Sequence, residues 1–311
     1  GRLSMASPGH LQRAALHASA GTFAWLALAA CLLVPVGLRA EQQGPLVVAI
    51  ENGLGARFSP AGIVGTTRVA LRWHPVPRNS VLRSTGLGDQ LFQNTYLGAG
   101  TMVDVTPAFV RSGFFVDISP LTVWRIRLNW QTLQSFGLFN QFLPFDSPGA
   151  NFDAFGKREA LRKAGGNPPR MTQRFLLDNM FQFRLWRVVI LNQSIAEYAV
   201  LGPGYYYNGE YDFLVRGEGE LVLRNILLGG IVLLDRPNLP ELAVGGFHMW
   251  TRALGARLQN QQVGASVVLA PVVGRRQPRG FTMIAVMGFH LEHSHRRHHP
   301  FMAWLVNFTF M

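Results

Sequence analysis

Residues Leu121 to Leu133 alternate with a period of two: Trp124, Ile126, Leu128 and Trp130 share one face, and Arg125, Arg127, Asn129 and Gln131 the other. Successive side chains of a strand point to opposite faces, so this segment offers one large apolar surface and one cationic surface. A soluble sheet would bury the first and wet the second, with fewer tryptophans turned outward. A wall between lipid and water takes both faces as they stand, with tryptophans at the two interfaces and aliphatic residues between them.

The pattern recurs along the chain. Thr66 to His74 sets Val69, Leu71 and Trp73 against Arg68, Arg72 and His74, and Ala108 to Ile118 sets Val110, Phe114, Val116 and Ile118 against Arg111 and Asp117. From Thr172 to Arg184, Phe175, Leu177, Phe181 and Phe183 oppose Arg174, Asp178, Gln182 and Arg184. Further strands are read at Leu97 to Val105, Arg187 to Tyr198, Leu242 to Arg252, Gln262 to Val272, Phe281 to Glu292 and Pro300 to Met311, with Glu210 to Leu234 as one strand or two. Beyond residue 40 no stretch approaches the roughly 18 to 20 apolar residues of a membrane-spanning helix. A crossing made of strands must then be a closed barrel, because every backbone amide has to be paired inside hydrocarbon.

In the last strand Met302, Trp304, Val306, Phe308 and Phe310 fall on one face. This resembles the closing strand of bacterial outer-membrane β-barrels, which end on an aromatic residue read by the barrel-insertion machinery; here Met311 stands one residue beyond it. The resemblance implies an all-β fold, a single transmembrane antiparallel up-and-down barrel of about 12 strands with 10 as the alternative. It also implies the bacterial outer membrane as location, and outer-membrane lipids, lipopolysaccharide and the insertion machinery as partners. Eleven strands are counted if Glu210 to Leu234 is undivided, and the even number usual in such barrels favours a break near Gly217 and Glu218. Two proline-containing turns, at Thr106–Pro107 and Ser119–Pro120, both look periplasmic yet bracket one strand. Residues 66–311 are read as the barrel and 41–65, loop-like from Gly53 to Gly65, as an N-terminal periplasmic segment. Residues 1–40 read as a secretory signal, with Arg13, an apolar run from Thr22 to Leu38 and cleavage near Ala40. Cys31, the only cysteine, follows Leu28, Ala29 and Ala30 in a run that resembles a lipobox, although the apolar stretch continues past it; a lone cysteine allows no internal disulfide.

The formal charge is +12, and only Lys157 and Lys163 are lysines. An export signal turns this basicity away from nucleic acid as a partner. The inward-facing candidates are Arg68, Arg72, Arg111, Arg125, Arg127, Arg174 and Arg184, against Asp104, Asp117 and Asp178. In a narrow barrel such groups pair into a polar core; in a wider one rings of arginine favour anions. A porin-like or transport role for small anionic solutes is the leading expectation. The alternatives are a lipid-acting enzyme of phospholipase or deacylase type, for which Ser266 and His290 are the only facing pair, and a non-catalytic structural or surface-interaction barrel. The run Phe289 to Pro300 offers His290, Glu292, His293 and His295 as weak metal candidates, or a cationic loop that touches lipopolysaccharide phosphates. No cofactor motif is present, and the aperiodic segment from Ser135 to Arg170 reads as a long extracellular loop.

Overall fold

In a computed structural model the chain is described over residues 45–58, 62–77, 80–86, 91–138, 141–152, 160, 166, 168–234, 241–270 and 280–310. Residues 1–40, expected to be a signal, with Cys31, and the charged residues Lys157, Arg158, Glu159, Arg162 and Lys163 lie outside these residues. Fifteen strands form: β1 (Leu46–Phe58), β2 (Gly62–Trp73), β3 (Tyr96–Val105), β4 (Phe109–Leu121), β5 (Trp124–Ser135), β6 (Pro144–Phe145), β7 (Arg170–Leu185), β8 (Val188–Val200), β9 (Tyr205–Asn208), β10 (Phe213–Arg216), β11 (Glu220–Leu234), β12 (Glu241–Ala253), β13 (Leu258–Ala270), β14 (Gly280–Glu292) and β15 (Pro300–Phe310). Twelve of them close a barrel in the order β1-β15-β14-β13-β12-β11-β8-β7-β5-β4-β3-β2, and β6, β9 and β10 make a separate three-stranded sheet.

The wall is antiparallel throughout, and it closes where β1 meets β15, from Ile50 opposite Phe310 to Phe58 opposite Met302. The burial profile is inverted relative to a soluble protein. Phe114 is 60% and Leu128 58% exposed, while Asp117, Arg127, Arg174 and Glu197 are buried. An apolar outside around a charged inside, with no free sheet edge, is the construction of a transmembrane barrel.

Twelve wall strands agree with the expected number, but two of the readings behind it change. Glu210 to Leu234 is not two wall strands: it supplies β11 and, before it, the end of a hairpin belonging to the small sheet. The twelfth strand is β1, so the barrel begins at Leu46 and residues 46–58 are not a periplasmic segment. Its outward residues Leu46, Val48, Ile50 and Leu54 oppose Glu51, Gly53 and Gly55, whose small or charged inner face resembles a loop. Of the two expected proline turns only Thr106–Pro107 lies between strands; Ser119 and Pro120 fall inside β4, at a register shift, and the chain reverses at Thr122–Val123 at the opposite end of the wall.

Both ends of the described chain, Leu46 and Phe310, lie at one end of the barrel, here the terminal end. At the other end, residues 141–152, 201–219 and 293–299 meet over the mouth. There β9 pairs with β6 and β10, and Phe142, Leu143, Phe152, Tyr207, Phe213 and Leu214 bury one another in a cluster that continues into wall residues Phe109, Leu133, Val222 and Ala253. This cap is the main hydrophobic core of the described residues; a second, small one joins Ala70, Met102 and Phe115 inside the wall. Apolar burial in the cap contributes about 1.5–3 kcal/mol per large side chain.

Close approach shapes the opposite wall. Phe247, Gly264, Gly288 and Phe301 lie abreast on β12, β13, β14 and β15. The two inward rings meet edge to face over the glycines, 5.3 Å between centroids. A Cβ on Gly264 would overlap the Met287 carbonyl oxygen, so only glycine permits this bend in the wall. On the lipid face the Asn192 and Asn225 amides bond each other at 3.3 Å and Asn225 also donates to Ser194 at 2.9 Å, which pairs polar groups that hydrocarbon would otherwise leave unsatisfied.

Candidate functional site

All seven arginines named from the sequence point into the barrel, and each meets an acid. Midway down the lumen Arg127 lies 2.8 Å from Asp117 and 3.5 Å from Glu51, while Arg72 bonds Glu51 and stands 3.6 Å from Asp117. Arg68 approaches Glu51 at 4.0 Å. The rings of Phe115 and Tyr96 cover the guanidinium groups of Arg127 and Arg72 at 4.4 Å each, a stacking geometry that a planar guanidinium permits and an ammonium does not. Glu51 thus organises three arginines. It was missed in the sequence because β1 was read as a loop.

Nearer the cap, Arg111 bonds Asp104 at 2.9 Å and Glu210 at 2.6 Å; Arg174 bonds Glu197 and, at 2.8 Å, Glu210. Glu210 belongs to the four-residue loop 209–212 that joins β9 to β10 and hangs into the lumen. Asp212 closes this loop at φ 61°, in the left-handed region that Asp tolerates. Arg57 donates to the backbone carbonyls of Gly209 and Glu210, and Arg224 stacks on the Tyr211 ring at 4.5 Å. Burial alone would raise the Glu210 carboxyl, but Arg111, Arg174 and Arg224 outweigh it and hold it well below the usual carboxylate range. Burial pushes the Tyr211 phenol above its ordinary value, with Glu197 adding to the shift. The cap is therefore clamped to the wall by ionised groups withdrawn from water.

The histidine run divides. His290 is fully buried in the lumen, 3.1 Å from Asn260 Oδ1. His293 is buried under the cap: the backbone N–H groups of His295 and Arg296 point at its Nδ1, so the proton sits on Nε2 and is donated to the Asp212 carbonyl at 2.6 Å. Asp212, raised by burial, is lowered overall by its bond to His293 and by Arg296 at 3.3 Å. His295 packs edge-on against Phe152. Glu292 instead accepts from Gln259 and Gln261. His290 and His293 meet edge to face, 5.1 Å between ring centroids, but Glu292 does not join them, and no metal-binding group of three His, Cys, Asp or Glu forms among the described residues. Nor do Ser266 and His290 face each other. His290 sits opposite Gln262 and Ser266 opposite Val286, four residues along the strand or roughly 13 Å.

At the terminal end the lumen widens. A cavity of about 180 Å³ is lined by Glu51, Arg72, His74, Tyr96, Arg125 and Gln182. Arg125 is the most loosely held arginine of this region: its nearest acid, Asp178, is 3.8 Å away, its Nε is buried without a partner, and its side chain is 22% exposed. Arg184, paired with Glu241 at 2.6 Å, stands at the mouth. A second recess of about 390 Å³ adjoins at Thr122, Val123 and Gln182, and its inward wall is Val189, Leu191, Leu228, Ala243, Val268 and Ile284. Toward the terminal end the interior is thus divided, charged on β1 to β7 and, apart from Glu241, largely apolar on β8 and β11 to β14, whereas nearer the cap those strands also turn Glu197, Glu220, Arg224 and His290 inward. The sequence reading found the first half only, because on β11 to β14 both faces are apolar and alternation is lost.

No protein-family model and no curated protein matches the chain. Among solved structures it is similar to the beta domain of the Bordetella autotransporter Brka, at 8% identity over 86% of this chain and 99% of that one with a TM-score of 0.47. It is also similar to LpxR from Salmonella typhimurium, at 10% identity over 86% and 99% with a TM-score of 0.30. The translocator domain of autotransporter NalP from Neisseria meningitidis aligns at 10% identity over 96% and 98%, with a TM-score of 0.35. The likeness is one of strand layout and carries neither residues nor activity. On its own geometry, closed, antiparallel, twelve-stranded and apolar outside, the chain is a β-barrel of outer-membrane type.

Proposed function

We propose that the protein is a plugged transport barrel of the bacterial outer membrane that takes up small anionic solutes from its terminal end. The observation that carries this reading is Arg125, a cation at an open cavity with only a distant acid and an unpartnered buried Nε. Arg72, Arg111, Arg127, Arg174 and Arg184 are committed to closer ion pairs and serve as the polar core that positions it. Passage through the barrel requires the loop at Glu210 to leave its clamp, since the cap covers the far mouth. Arg297, His298 and His299, exposed at the cap end, are placed to meet lipopolysaccharide phosphates, and the β15 strand is the segment offered to the insertion machinery. A lipid-acting enzyme is compatible with the architecture but would need groups other than a Ser266–His290 pair.

Planar-bilayer recording tests the proposal. Wild type should conduct little, and Glu210→Ala should conduct with anion preference that Arg125→Glu removes. Cation preference in Glu210→Ala, unchanged by Arg125→Glu, would sink it.

A further inference from the structure

A lumen divided into a charged and an apolar half fits a solute divided in the same way. We infer that the terminal-end lumen binds an amphiphilic anion, a carboxylate or phosphate head on an alkyl tail, with the head at Arg125 and Gln182 and the tail along Leu191, Leu228, Val268 and Ile284. This rests on the anion-handling reading above and names the class of solute.

Three observations carry it. First, the polar cavity and the apolar recess are continuous, sharing Thr122, Val123 and Gln182, so one molecule can occupy both. Second, the recess is walled by the inward side chains of Val189, Leu191, Leu228, Ala243, Val268 and Ile284, an apolar surface. A hydrated inorganic ion gains nothing from such a wall, whereas burying each tail methylene is favourable. Third, Arg125, which lines this space, has no acid at hydrogen-bond distance, its nearest being Asp178 at 3.8 Å. A head group arriving there gains a charge-assisted bond without first breaking an ion pair. The recess also takes in Arg184 and Glu241, which pair with each other at 2.6 Å, and the small residues Ser266 and Thr282, of which Ser266 donates to the Gly246 carbonyl at 3.3 Å.

Calorimetric titration of the full chain in nanodiscs, against empty nanodiscs, tests the inference with acetate, octanoate and octanol. Octanoate should bind at least tenfold more tightly than acetate and than octanol. Arg125→Gln should weaken octanoate toward octanol, and Val268→Asp should weaken octanoate while leaving acetate unchanged. Unboiled gel mobility checks that each variant still forms a barrel. Acetate and octanoate binding alike would overturn the amphiphile and leave the anion reading standing. No binding of either would overturn both, and octanol matching octanoate would overturn the head-group assignment.

Discussion

Glu210 Oε2 lies 2.8 Å from Arg174 Nη1, a bond between the loop that hangs from the cap and the wall strand facing it. The other carboxylate oxygen reaches Arg111 at 2.6 Å. One side chain therefore bridges β4 and β7 and holds a short loop inside the barrel.

Replacing Glu210 with alanine leaves both arginines facing each other without their shared acid. Breaking a buried pair in this way costs about 3–5 kcal/mol. The expected result is loss of cap protection in amide hydrogen exchange, confined to residues 201–219, with the wall amides unchanged. Uniform loss across the wall strands would show that Glu210 supports the barrel rather than the cap.

Arg125 and Arg127 are two residues apart on one face of β5 and should respond differently to alanine. Arg127→Ala strands Asp117, which is fully buried, and should cost about 3–5 kcal/mol in urea unfolding from lipid. Arg125→Ala removes a group with no close partner and should change stability by less than about 1 kcal/mol. Equal losses would contradict the pairing described here. Arg127→Lys should recover only part of the loss, because an ammonium cannot both fork to Asp117 and stack on Phe115.

The clamp should tolerate moderate acid. Glu210 and Asp212 have carboxyls held below their ordinary values, so their stabilisation is fully present above the ordinary carboxylate range near pH 4. It is lost only as pH falls through the depressed folded-state values. Conductance of the wild type should stay low from about pH 8 to 4 and rise in stronger acid. A rise centred between about pH 6 and 7 would place the switch on a histidine instead.

Two glycine variants separate close approach from mere flexibility. Gly264→Ala drives a methyl group into the β14 backbone and should abolish or strongly reduce the heat-modifiable band. Gly229→Ala meets nothing within 4 Å and should fold as wild type does. Folding of both would remove the argument for the bend under Phe247 and Phe301.

On the lipid face, Asn192 and Asn225 should be coupled. Each leucine substitution alone leaves its partner's amide in hydrocarbon, and the double variant leaves none. A double-mutant cycle in lipid should give about 0.6–1.7 kcal/mol of coupling; additive single losses would show that the two amides act independently.

Strands with one apolar and one arginine-bearing face were legible because alternation is a local property. Trp124 to Gln131 and Phe175 to Arg184 show it within ten residues. β1 was not legible, since its inner face consists of Glu51, Gly53 and Gly55 and only pairing with β2 and β15 makes it a wall. The hairpin before β11 was also hidden. Tyr205 to Asn208 and Phe213 to Arg216 carry strand-like residues, but nothing local says that they pair with each other over the mouth and that Pro144 and Phe145 add to the far side of the first.

The sequence by itself determined that this chain forms a wall with a lipid side and a charged side, because period two fixes which residues share a face. It named all seven inward arginines on that ground. Their partners were decided only by closure of the barrel, which brings Glu51 of β1 beside Arg72 of β2 and Arg127 of β5, and by the inserted loop that delivers Glu210. Pairing of charges depends on strands distant in sequence meeting in one lumen, so which arginines are left without a close acid is a property of the tertiary structure. They are Arg68 and Arg125, 4.0 and 3.8 Å from their nearest acids, and Arg125 is the one that lines the terminal-end cavity.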